Sequence, residues 1–284
     1  MNKDSLFYNC QSRVQYLAPN VRPKTCVQYR GSLNNFRRYL TEQGMTSPRL
    51  SRLSFSLIEA YKRHRAKRVK PLTINTELKV LRTFFYYAIK CHCATENPAQ
   101  KVPFLRVPHH TPRFLTQEEI DLLLTNANGL YPVLSTFLKT GMRKNELINL
   151  TWDDVDFTRK CIRIESKEGW ATKTGNTREI LVSDDLLRLL QRLPRRSEYV
   201  FLNTEGRIYG YHLNERLKRL GTRIGLPHIT VHGLRHTFIS HLVMSGVDLV
   251  TVKELAGHAD IKTTMRYAHL APDHLRHSVA KLPY

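Results

Sequence analysis

Lys101 to Arg113 (KVPFLRVPHHTPR) carries three prolines and no helical periodicity. Proline has no backbone amide to donate and a fixed φ, so no regular element runs through such a stretch. A chain of 284 residues interrupted there is predicted to fold as two domains, 1–102 and 115–284, with a linker over 103–114.

The two sides differ in texture. Before the linker, Val27, Leu33, Phe36 and Leu40 share one side of a segment that Thr25 could cap and Gly44 could end. Phe55, Leu57 and Ile58 begin a second helical segment, and Leu78, Leu81, Phe85 and Ile89 form the stripe of a third. A small helical bundle is expected. After the linker, Thr116 and Glu119 have capping-box spacing ahead of Ile120, Leu123 and Leu124. Cys161 to Glu165 alternates apolar and polar residues, as does the region around Thr177 to Val182, so two short strands are expected. Between them Gly175 and Asn176 suit a tight turn, which places Lys173 near a hairpin tip. Helical patterns return from Ser183, giving a chain that is mainly α with a small β-sheet.

Charge narrows the choice of partner. The 45 Lys and Arg exceed the 24 Asp and Glu by 21, an excess that a polyanion would relieve. Its densest run, KRHRAKRVK between the second and third helices, offers Lys62, Arg63, Arg65, Lys67, Arg68 and Lys70 for phosphate contacts, which give affinity without sequence choice. No apolar run approaches the roughly 18 residues that span a bilayer, and Met1 to Ser5 does not open a signal peptide. The chain therefore reads as soluble and cytoplasmic, associated with the nucleoid. Five scattered cysteines argue for reduced thiols, and Cys91-His92-Cys93 is poorly spaced for zinc, so neither metal nor cofactor is expected.

Three segments carry unusual residue types: Thr140 to Leu147 (TGMRKNEL), His232 to Thr237 (HGLRHT), and Leu255 to Asp260 (LAGHAD) running on to Tyr267. His232 and Arg235, three apart at the opening of a helix, can face one site. Gly246 can end that helix and Asp248 can cap the next, which Gly257 stops just before His258. Asp260 can cap a last short helix holding Tyr267 about two turns along, close enough for His258 and Tyr267 to meet. Singly these residues are unremarkable surface or packing groups. Together, two arginines, two histidines, a lysine and a tyrosine supply the cations, nucleophile and acid that phosphoryl transfer needs.

In residues, order and spacing these segments resemble the signature boxes of the tyrosine recombinases, the phage integrase family. The resemblance implies a helical, SAM-like core-binding domain followed by a mixed α/β catalytic domain, together a C-shaped clamp around DNA. It implies a site-specific recombinase or integrase that cleaves and rejoins double-stranded DNA through a 3′-phosphotyrosyl intermediate without metal or ATP, as a homo-tetramer on paired sites. On the matching positions, Arg143 and Arg235 would clamp the phosphate, Tyr267 would attack, and His232 would be the base. Lys173 would protonate the leaving 5′ hydroxyl, His258 would bond the phosphate, and Glu146 would buttress the site. Type IB topoisomerases share this chemistry but reseal the original strand, and a non-catalytic DNA-binding regulator would use only the basic surface. The apolar residues beyond Pro272 could dock on a neighbouring protomer or fold back on their own domain. The chain resembles the family's simpler two-domain members, whose phage, transposon, dimer-resolving and cassette-shuffling roles differ in target rather than chemistry.

Overall fold

A computed structural model describes residues 12–13, 15–16, 19, 21–46, 48–108, 111–167, 170, 177–202 and 212–271. The chain forms two compact units, 1–109 and 110–284.

The first unit is built on α1 (Pro23–Glu42), α2 (Phe55–Ala66) and α3 (Pro71–Lys90). α1 opens on Pro23 after extended Arg22, with no cap from Thr25, because proline's fixed φ already suits a first helical position. Gly44, at φ +76°, turns the chain just past its end. The buried stripe runs through Cys26, Leu33, Phe36, Tyr39 and Leu40. Val27, expected on that stripe, is 65% exposed, because one position along a helix is a rotation of about 100°. Ser54 caps α2 through the amide of Leu57, and Ile58, Tyr61, Ile74, Leu78, Leu81, Phe84 and Phe85 close the core.

The basic run and the proline-bearing stretch also differ from expectation. The basic run does not lie between helices: α2 continues to Ala66, so Lys62, Arg63 and Arg65 are helical and only Lys67, Arg68 and Lys70 fall in the turn. Part of the proline-bearing stretch, read as a linker, is bonded to the first unit. Asn75 exchanges two bonds of 2.8 Å with the backbone of Leu105, and Arg82 donates to the carbonyls of Ala99 and Val102. Side-chain to backbone bonds of this kind leave no periodic trace in sequence.

The second unit opens with α4 (Gln117–Thr125), whose Thr116 and Glu119 form the expected capping box. Just before it, the amide of Leu115 bonds the hydroxyl of Thr237 and its carbonyl meets His241, so the segment is pinned to a later helix. α5 (Tyr131–Thr140) and α6 (Lys144–Ile148) follow, then an antiparallel sheet in the order β1 (Val155–Asp156), β2 (Cys161–Ile164), β3 (Arg178–Leu181). Ile162 pairs with Ile180 and Ile164 with Arg178. The alternating patterns identified β2 and β3, whereas two-residue β1 is too short to show one. α7 (Asp184–Gln191), α8 (His212–Arg223), α9 (Val231–Met244), α10 (Leu249–Ala256) and α11 (Ile261–Thr264) complete the unit, followed by a 3₁₀ segment, Met265–Leu270. One core joins α4, α5, the sheet, α7, α8 and the start of α9, and a smaller one joins Ile239, Val243, Val252, Ala256 and Tyr267. The hairpin tip with Lys173 and the segment from Pro272 onward lie outside the described residues.

Candidate active site

Two arginines are held by the carbonyls of two helix-ending glycines. α5 ends at Gly141 (φ +60°) and α10 at Gly257 (φ +65°), both left-handed. Glycine is required at each, since an added Cβ would lie 2.2 Å from the ring of Phe238 or 2.5 Å from Nε of Arg178. The Gly141 carbonyl accepts from Nη1 of Arg235 at 2.6 Å, and the Gly257 carbonyl from Nη2 of Arg143 at 2.5 Å. A helix C-terminus carries partial negative charge, so each guanidinium is drawn to its place before any ligand arrives.

Glu146 fixes the other edge of Arg143. It is 2% exposed, and its carboxylate accepts from the amide and Nη1 of Arg143, both at 2.8 Å. Arg178 completes the set with a forked pair at 3.0 and 2.7 Å. Burial favours its neutral form, but the bonds and charge of Arg178, with those of Arg143, outweigh it and hold the carboxyl at about 2. Glu146 is thus a buried anion paired with two arginines. Arg178 was not singled out from sequence. The available signal was strand alternation, because Arg178 shares a face with buried Ile180 and so points inward.

α9 supplies the next three groups. Thr230 caps it through the amide of Gly233, so His232 and Arg235 sit in its first turn as their spacing implied. Arg235 is buried. Burial, then the charge of Arg143, lowers it to about 10, which leaves it cationic at neutral pH. The rings of His232 and His236 pack edge to face with centroids 4.4 Å apart. Nδ1 of His236 is hydrogen-bonded to the hydroxyl of Tyr267. A side chain at the tyrosine oxygen is therefore His236, whereas His258 directs its Nδ1 to Thr264. Sequence reasoning had quoted His236 within its motif without a role, although its spacing of four from His232 puts the two on one helix face.

Asp248 caps α10 and Asp260 caps α11, as their positions suggested. His258 follows Gly257, and its Nδ1 meets the hydroxyl of Thr264 at 2.8 Å. Burial and the charges of Arg235 and Arg143 push His258 down to about 3, so it is neutral near pH 7. Tyr267 was expected two turns along an α-helix. Instead α11 has four residues and Tyr267 lies in the tighter 3₁₀ segment after it. Its ring is 2% exposed, and burial raises its hydroxyl against the opposing pull of Arg266 and Arg235.

These residues converge. Arg143, His232, Arg235, His258 and Tyr267, drawn from separate segments, line one cleft of about 540 Å³ together with His236. His258 and Tyr267 border it together, as expected, although the bond to the hydroxyl is made elsewhere. Two fixed guanidiniums, three imidazoles and a phenol around such a space can take a tetrahedral oxyanion and present an oxygen nucleophile to it.

The basic run of the first unit divides by environment. Lys62 is buried, paired with Glu59 at 2.7 Å and with the Pro103 carbonyl at 3.1 Å. Arg65 is spent on Glu77, with bonds of 2.9 and 2.6 Å. Arg63, Lys67, Arg68 and Lys70 are exposed. Lys62 and Arg65, read as phosphate contacts, are thus tied into the bundle, because each has an acidic partner within reach that a linear charge count ignores. No helix among the described residues is long and apolar enough to cross a membrane.

Comparison with known proteins identifies the family. Residues 113–274 match the phage integrase family and residues 5–103 match the phage integrase SAM-like domain. The chain is 29% identical to the tyrosine recombinase XerC of Bacillus pumilus (strain SAFR-032), over 93% of this chain and 92% of that one. It is 30% identical to XerC of Thermodesulfovibrio yellowstonii (strain ATCC 51303 / DSM 11347 / YP87), over 72% and 73%. In fold it is similar to the Tn1549 transposon integrase, solved in complex with a circular intermediate DNA, at TM-score 0.81 and 22% identity over 99% of this chain and 100% of that one. It is likewise similar to a lambda integrase dimer bound to a COC′ core site, at TM-score 0.78 and 18% identity over 93% and 77%. With the family matched across more than half its length and the site assembled from the motifs that mark it, this chain belongs to the phage integrase family of tyrosine recombinases.

Proposed function

We propose that this protein is a site-specific recombinase that cuts and rejoins double-stranded DNA through Tyr267. The observation that carries the reading is the convergence of Arg143, His232, Arg235, His258 and Tyr267 on one cleft. The scissile phosphate occupies that cleft, its non-bridging oxygens held by the guanidiniums of Arg143 and Arg235, with His232 and His258 completing the hydrogen bonds around it. The Tyr267 oxygen attacks phosphorus, the bond to the 5′ oxygen breaks, and Lys173 gives that oxygen its proton. Two arginines supply the fixed positive charge, so the chemistry needs no metal. The 3′-phosphotyrosyl bond retains the energy of the phosphodiester, so it needs no ATP. A 5′ hydroxyl from a second strand then reverses the step onto a new partner, within a homo-tetramer that pairs two sites.

Exposed Arg63, Lys67, Arg68 and Lys70 contact phosphates in this reading. The relatives named above as tyrosine recombinases, and the similarity to integrases solved on DNA, support it. The test is a pool of nicked suicide duplexes incubated with the full chain in the presence of a chelator. A detergent-stable adduct is expected with wild type, and none with Tyr267→Phe, which should retain DNA affinity. Absence of an adduct on every duplex would overturn the reading. Exchange between two duplexes, without relaxation of a single plasmid, separates a recombinase from a topoisomerase. Lys173→Ala should cleave slowly and recover on a bridging 5′ phosphorothiolate, whose leaving group needs no acid.

A further inference from the structure

Resting on the proposed recombinase chemistry, we infer that Thr264 is a positioning residue whose hydroxyl donates to Nδ1 of His258 and so keeps that ring's hydrogen on Nε2, turned toward the phosphate. Nδ1 of His258 meets Oγ1 of Thr264 at 2.8 Å, across the turn between Gly257 and α11. Thr264 is 0% exposed at the last position of α11, so it cannot touch DNA itself, whereas its neighbour Thr263 is exposed and borders the cleft. The His258 ring borders that cleft beside Arg143 and Arg235. The hydroxyl thus meets the ring from the side away from the cleft.

The two groups leave a choice that an anion decides. Burial, with the charges of Arg235 and Arg143, keeps His258 neutral at physiological pH, so its ring carries a single N–H. A threonine hydroxyl can donate or accept and rotates to suit. If Nδ1 carried the hydrogen and gave it to Thr264, Nε2 would turn a lone pair on a phosphate oxygen, and two acceptors would face each other. If Thr264 donates, Nδ1 is filled and Nε2 carries the N–H that an anion requires. Both partners are held in register. The left-handed turn at Gly257 sets where His258 begins, with its amide on the carbonyl of Lys253 at 2.9 Å. Asp260 caps α11 through the amide of Lys262 at 2.9 Å, which fixes the start of the short helix that ends at Thr264. With no exposed surface, Thr264 has no access to solvent for its hydroxyl, and a buried hydroxyl left unpaired is costly, so the ring nitrogen satisfies it in turn. No proton moves in this role: Thr264 orients a donor and takes no part in bond making.

The first measurement needs no cleavage. Imidazole nitrogen spectra of the full wild-type chain with isotope-labelled histidine, the ring assigned through His258→Gln, should show His258 protonated at Nε2 at neutral pH. A ring protonated at Nδ1 would overturn the inference. The second uses a nicked suicide duplex that wild type is first shown to cleave, so failure of the recombinase reading appears in wild type and failure of this inference only in the variants. Thr264→Val, close in shape but without the hydroxyl, should bind that duplex within about twofold of wild type and form adduct about tenfold more slowly, the size of one lost hydrogen bond. Thr264→Ser keeps the hydroxyl and should stay within about threefold of wild type. In a His258→Ala background Thr264→Val should slow cleavage no further, because the hydroxyl acts through the ring. An undiminished effect of Thr264→Val without His258 would make Thr264 a packing residue and overturn the inference. So would Thr264→Val cleaving at the wild-type rate, or Thr264→Ser as slow as the valine variant. If Thr264→Val fails to fold, the position of the hydrogen on His258 in wild type alone decides.

Discussion

Each unit of the molecule buries one carboxylate among four donors, and the two carboxylates are put to different use. Glu77 of α3 accepts from Asn35 of α1 at 2.9 Å, from the hydroxyl of Tyr61 at 2.8 Å and from two nitrogens of Arg65 on α2. Three helices are thereby tied at one point, and Tyr61 is pushed well above its ordinary range by burial and by Glu77. Glu146 also takes four bonds, but from only two arginines, one of which borders the cleft. The ion pair at Glu77 is spent on holding the bundle together. The one at Glu146 orients Arg143, leaving that side chain at the cleft. An arginine's role thus depends on what surrounds the far end of its fork, and not on the pair it makes.

The sharpest way to break this comparison is to remove each carboxylate. Glu77→Ala strands Arg65 among buried groups and is expected to cost about 3–5 kcal/mol of stability, read by denaturant unfolding. Its effect on the rate of adduct formation by chain already bound to DNA should be small. Arg143→Ala should do the reverse, lowering that rate about 100- to 1,000-fold, the usual size for a lost oxyanion donor, with a melting temperature close to wild type. If Glu77→Ala slowed cleavage of bound DNA as much as Arg143→Ala, the division of roles would fail.

Acid sharpens it further. Glu146 is held at about 2 against an ordinary 4.5, so its stabilisation is present above pH 4.5 and is lost as pH falls towards 2. The loss should come to about 3 kcal/mol at 1.36 kcal/mol per pK unit. His236 and His258 lie at about 4 and 3 against an ordinary 6.5, so the unfolded chain takes up their protons first and stability begins to fall below pH 6.5. Unfolding curves between pH 7 and 2.5 should therefore show two successive losses, and Glu146→Gln should erase the lower one. The smallest effect separates the two kinds of basic residue in the first unit. Lys67→Ala should reduce the slope of log affinity against log salt by about one. Lys62→Ala should leave that slope unchanged, because its charge already serves Glu59.

Much of the second unit was legible in sequence because its punctuation is local. The Thr116 capping box, the Asp248 and Asp260 caps and the glycine stops at Gly246 and Gly257 act within a few residues of themselves and occur where they were read. Val27 was misplaced by one step of a helical wheel, and α1 started on a proline instead of a cap. The basic run misled for another reason. Charge counted along the chain says nothing of Glu77 or of the Pro103 carbonyl, which are brought to Arg65 and Lys62 only by folding.

By itself the sequence determined the helix boundaries set by caps and glycines, the two alternating strands, and the set of residue types from which a phosphoryl-transfer site could be assembled. Those depend on neighbours a few positions away, where the geometry of one turn or one pleat decides the outcome. Only the tertiary structure decided that Arg178 closes the salt bridge under Arg143, that Arg65 turns inward, and that His236 brings an imidazole to the Tyr267 oxygen. Each of those contacts joins two different elements, and which partners meet is set by how the helices pack around their cores.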